Sequence, residues 1–92
     1  VWIGANTPNA STALAIGVGS SAVNGVEQTI ANESTAPTGV TFSEPASNAA
    51  ALSLGDLPAG QHRAIWLRRS VSAGAPPLAS DTWSIDFECD TE

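Results

Sequence analysis

The stretch Trp83-Ser84-Ile85-Asp86-Phe87-Glu88-Cys89 is apolar at every odd position and polar at every even one. Successive side chains of a strand point to opposite faces, so this is the pattern of a strand with one dry and one wet side. Working back along the chain, Ala64 to Val71 reads the same way. Ile65, Leu67 and Val71 fall on one face there, and Trp66 and Arg68 on the other. Between these two runs lies Ser72 to Ser80 with Gly74, Pro76 and Pro77, which cannot carry a ladder and reads as a loop. Before them, Leu52-Ser53-Leu54 runs into Gly55-Asp56-Leu57-Pro58-Ala59-Gly60, a turn in which Pro fixes φ and Gly supplies positive φ.

The first half carries weaker versions of the same signal. Val1 to Ile3 is a short candidate strand, and Leu14, Ile16 and Val18 alternate with Ala and Gly. Val26 and Ile30, and then Val40 to Phe42, lie among polar residues. Turns are expected at Asn32–Gly39, with Pro37, and at Glu44–Asn48, with Pro45. Turn chemistry thus recurs every ~8–12 residues, the spacing of a sandwich or barrel. Ala10–Ala15 and Asn48–Leu52 have room for a helical turn at most. The expectation is an all-β chain: a small antiparallel immunoglobulin-like sandwich of about seven strands, forming one domain over residues 1–92.

Composition agrees. Charged residues are 13% of the chain, against ~25% in an average soluble domain, and there is no Lys, which disfavours a solvated helical bundle. The chain starts at Val1 and holds no Met, so a processed product or a piece of a longer protein is expected. No run reaches the ~18 apolar residues of a membrane span. The net charge of −6 disfavours nucleic acid, which needs a basic footprint, and anionic membrane surfaces. The single cysteine excludes an intrachain disulfide.

Setting apolar faces together predicts a register for the last two strands. Leu67 would pair with Ile85, Ile65 with Phe87 and Arg69 with Trp83. Arg69 would then lie over the Trp83 ring in a cation–π contact. Arg68 would sit diagonal to Asp86 on the wet face, as a weak surface ion pair.

Chemistry is sparse. His62 follows a turn and reads as a solvated strand-end residue; catalysis would need a nucleophile and an orienting acid beside it. Cys89 falls on the dry side of its strand and reads as a small hydrophobe of the core or its edge. Asp86, Glu88, Asp90 and Glu92 could collect a hard cation, but neighbours at i, i+2 along a strand diverge, and a charged face that blocks edge aggregation is the simpler reading. Gly17-Val18-Gly19 lacks the remainder of a phosphate-binding motif. No catalytic residue, metal ligand or cofactor site is therefore assigned, and the chain is expected not to be an enzyme. Three residues are candidates for an interface: Trp66, which should point outward, Arg68 beside it, and Trp2.

Leu52 to Gln61, running into Ala64 to Arg69, a Gly/Pro/Ala loop, and Asp81 to Phe87, resembles the strand and turn pattern of immunoglobulin-like domains of bacterial surface proteins. With Ala36-Pro37-Thr38-Gly39-Val40-Thr41-Phe42 upstream, residues 36–88 are more narrowly similar to domains of structural proteins of tailed bacteriophages. The resemblance implies a non-catalytic structural or interaction module of a virion, in tail, fibre or decoration position. Its partners would be other virion chains in an oligomeric assembly. The alternatives are a carbohydrate-binding sandwich for host-surface recognition, and an extracellular or bacterial-surface adhesin domain. Trp66 discriminates: cover from another chain favours the structural role, and exposure in a groove with polar neighbours favours sugar.

Overall fold

The computed structural model describes residues 1–6, 12–74 and 82–89. The described residues form four strands: β1 (Trp2–Asn6), β2 (Thr12–Val18), β3 (Ile65–Val71) and β4 (Trp83–Asp86). One 3-10 turn spans Asn48–Ala50, inside the stretch expected to hold at most a helical turn. The other candidate, Ala10–Ala15, is β2 from Thr12 onward, and its start lies outside the described residues.

The pairing differs from the predicted hairpin. β3 does not pair with β4. It runs antiparallel to β2 in unbroken register, from Thr12 opposite Val71 to Val18 opposite Ile65. β4 runs antiparallel to β1, with Trp2 opposite Asp86 and Ile3 opposite Ile85. The β1–β4 register shifts between Ile3 and Asn6, a bulge-like irregularity. The all-β class is consistent with these ribbons, but the seven-strand immunoglobulin-like sandwich is not: the described residues form two two-stranded sheets.

Two of the missing strands border positive-φ turns. Gly39, Gly55 and Gly60 adopt positive φ and turn the chain where a ladder would have to continue. Segments 26–30, 40–42 and 52–54 are not strands, and the chain next to the latter two meets the ribbons at single residues. Ile16 and Ser43 exchange N–H···O bonds of 2.9 Å in each direction on the free edge of β2. Val1 and Leu52 do the same beside β1, at 2.8 Å each way. Ile3 N–H donates to the Pro45 carbonyl at 2.7 Å, and Pro45, having no N–H, cannot return the bond. Val26, expected on a strand, is 97% exposed.

The two ribbons meet through Val1, Ile3 and Ile16, with Leu14, Leu52, Leu54, Ile65, Trp83 and Ile85 packed around them. Ile16 alone among the described side chains is fully enclosed. On β2 the opposite face carries Ala15 and Gly17, also buried. A Cβ on Gly17 would come 2.6 Å from Val40 Cγ1 and 2.8 Å from the Thr41 carbonyl, so the 40–42 segment lies directly on the strand.

Two further expectations fail at the strand ends. Phe87 is 54% exposed and Cys89 is exposed, although alternation put both in the core. β4 ends at Asp86, whose partner Trp2 is the first residue of β1, so no facing ribbon remains to bury them. Arg69 nevertheless lies over the Trp83 ring, 5.7 Å from its centroid. The contact crosses between ribbons instead of running along one sheet.

Replacing Ile16 by Ala should cost about 2–5 kcal/mol, the range for emptying a closed core site. Val26→Ser should stay within about 0.5 kcal/mol of the parent. Urea unfolding followed by circular dichroism measures both, and equal losses would contradict the placement of the core.

Candidate functional site

Trp66 and Arg68 project from the same side of β3. Their cross-strand partners on β2 are Gly17 and Ala15. These small residues leave room above the sheet, and the chain's own 30–42 segment occupies part of it. The result is a cavity of about 360 Å³ whose wall includes Ile30, Glu33, Ser34, Thr35, Pro37, Phe42, Trp66 and Arg68. This is within the size range of small-ligand sites.

Arg68 places its guanidinium carbon 4.8 Å from the centre of the Phe42 ring. The predicted approach of Arg68 to Asp86 does not occur. Asp86 belongs to the other ribbon, where its carboxylate lies over Gly4, at a place a Cβ would fill. Trp66 is half-buried, and its Nε1 is shielded from solvent without a hydrogen-bond acceptor. What its side chain offers the cavity is carbon surface. Trp66 does leave the core face as predicted, but its cover comes from its own chain.

The cavity wall is held by side chains standing in for backbone. Gln28 Nε2 donates to the Thr38 carbonyl at 2.7 Å, and Thr38 N–H donates to Gln28 Oε1 at 2.8 Å. This reciprocal pair imitates one rung of a sheet and closes the loop between residues 28 and 38. Within the loop, Asn32 Oδ1 accepts from Ser34 N–H at 2.9 Å and from the Thr35 hydroxyl at 3.0 Å, an Asx-type turn. At the loop base, Glu27 accepts from Ser21 N–H at 3.0 Å, from the Ser21 hydroxyl at 2.9 Å and from the Ser20 hydroxyl at 3.0 Å. Chiefly the Ser21 backbone bond, with lesser help from Gln28 N–H and the two serine hydroxyls, holds the Glu27 carboxyl at about 2, against a desolvation that pushes it up.

Trp2 lies elsewhere. It lines a second cavity of about 500 Å³ on the other ribbon, with Leu54, Asp56, Leu57, Phe87, Glu88 and Cys89. The three candidate interface residues therefore split, Trp66 with Arg68 and Trp2 apart. Glu88 accepts from the Asn48 side-chain amide. Among the described residues no three His, Cys, Asp or Glu side chains converge as a cation site; Asp90 and Glu92 lie outside them. His62 is exposed, and its carbonyl accepts from Asn24 N–H at 2.8 Å. Among the described residues no helix is long and apolar enough to cross a membrane.

No family model, curated protein or solved structure matches the chain. The reading of the site therefore rests on its own geometry. Phe42 and Glu33 were not among the candidates. The alternation Ala13, Ala15, Gly17, placed against Trp66 and Arg68, carried the relevant signal: small residues opposite large ones leave space that something must fill.

Replacing Gln28 by Ala removes both Thr38 bonds. Hydrogen exchange at the Thr38 amide should accelerate, with a loop destabilisation of about 1–2 kcal/mol. Glu27 adds a pH dependence. Its carboxyl is depressed in the folded chain from an ordinary 4.5, so its contribution is complete above about 4.5 and is lost as pH falls through about 2. Glu27→Gln should flatten stability over that window, which acid titration of the unfolding midpoint would show.

Proposed function

We propose that the chain is a non-catalytic structural and interaction module that works inside an oligomeric assembly. The observation that supports this most directly is the inner side of β3. Leu67 and Val71 stand on the same face as Ile65, toward the core, yet they are 58% and 54% exposed. The β1–β4 ribbon is too short to cover them. With one fully enclosed side chain among the described residues there is little core to spare, and each exposed apolar residue on that face is surface that a neighbour can bury.

Chemistry points the same way. Cys89 is exposed and stands in sequence between two carboxylates, Glu88 and Asp90, with no basic residue beside it. His62 sits at an exposed turn end. The acidic balance of the chain disfavours nucleic acid as a partner. A virion setting, with other virion chains as neighbours, extends this proposal and rests only on the strand-and-turn sequence pattern of residues 36–88.

Sedimentation equilibrium over a wide concentration series tests the assembly. The parent chain is expected to form a dimer or larger oligomer, and Val71→Asp to weaken it about tenfold or more, ~1.4 kcal/mol, with the β signal in circular dichroism intact. A parent chain that stays monomeric throughout the series removes the reading.

A further inference from the structure

The cavity between β3 and the 30–42 segment shares only Leu67 with the apolar face invoked above, and two of its charged side chains are unspent. Among the described residues, the Arg68 guanidinium has its contact with the Phe42 ring and no hydrogen bond or ion pair. Glu33 lines the same cavity, also without a hydrogen-bond or ion-pair partner among the described residues. The two are opposite charges in one small wall, yet they do not pair with each other; Arg69 also borders the wall, but its guanidinium lies over the Trp83 ring. Ser34 and Thr35 add hydroxyls between them in sequence, and Trp66 adds half-buried aromatic surface.

These groups restrict what can bind. A simple anion would meet Arg68 but be opposed by Glu33 and by a net charge of −6. A simple cation would be opposed by Arg68. A neutral ligand that both donates and accepts several hydrogen bonds satisfies both side chains without a buried charge. An aromatic surface beside such groups suits a ring with one apolar face. The pyranose ring has all of these properties: C–H groups on one face and vicinal hydroxyls around its edge.

We propose that this cavity is a binding site for a neutral saccharide. One pyranose residue rests on Trp66, its hydroxyls accept from Arg68 and donate to Glu33, and the Gln28–Thr38 clasp keeps the wall in place. The larger cavity at Trp2 lacks this complementarity: its charged side chains, Asp56 and Glu88, are both acidic, and Glu88 is already bonded to Asn48.

Saturation-transfer NMR with glucose, galactose, N-acetylglucosamine and their oligosaccharides tests the proposal. Glucuronate and free amino acids serve as the charged and zwitterionic arms. At least one neutral saccharide is expected to bind, shifting amide resonances at residues 33–36 and 66–68. Glu33→Gln and Arg68→Gln, both at exposed positions, should each weaken it about tenfold. Trp66→Ala should abolish it, and the two polar variants keep the test decisive if that variant does not fold. The proposal is overturned if no neutral saccharide binds, if only glucuronate or amino acids bind, or if binding survives all the variants unchanged. Val71→Asp should leave saccharide binding in place, so failure of the assembly and failure of the site are separable.

Discussion

Everything in this fold converges on Ile16. Its side chain is fully enclosed between the ribbons, its N–H and C=O both bond Ser43, and its cross-strand partner is Leu67 of β3. One residue thus ties three elements in three directions: the side chain into the core, the backbone to one edge, and strand pairing to the other. The burial of a single large aliphatic side chain is worth roughly 1.5–3 kcal/mol. For a chain this small, whose stability is a narrow difference between large terms, that is a substantial share. The cavity depends on the same point, since Ser43 follows Phe42 and fixes where that ring meets Arg68.

Local structure was legible in the sequence, and partnership was not. Alternation from Trp83 to Asp86 and from Ile65 onward correctly marked strands, because side-chain direction in a strand is a local property. Which strand lies beside which is nonlocal. Consecutive strands often pair, but here β3 and β4 lie in separate sheets, and most of the loop expected between them lies outside the described residues. Phe87 and Cys89 continued the alternating pattern beyond the point where a facing ribbon existed, and periodicity alone carries no signal for where cover ends. The Arg69–Trp83 contact came out right from a wrong pairing, because both residues face the interval between the ribbons whichever sheet they belong to.

The site was half legible. Trp66 and Arg68 stood out as large residues on a polar face, and the structure keeps them together. Their chemistry needs Glu33 and Phe42, which come from a stretch with no regular secondary structure. Only the stripe of small residues on β2 hinted that another segment crosses above it. Trp2 shared the residue type and not the place, and type by itself is poor evidence for a shared surface.

The clasp between Gln28 and Thr38 has a consequence for how such a chain can diversify. It fastens the neck of the loop, so the residues between the two ends are not needed to hold the ribbons together. The entropy of closing a tied loop rises only slowly with its length, about 0.6 kcal/mol per doubling. Lengthening or rewriting positions 29–37 therefore exchanges one wall of the cavity while Ile16 and its partners stay as they are. Selection can retune the surface there without re-solving the fold, much as a tool takes a new bit in the same chuck.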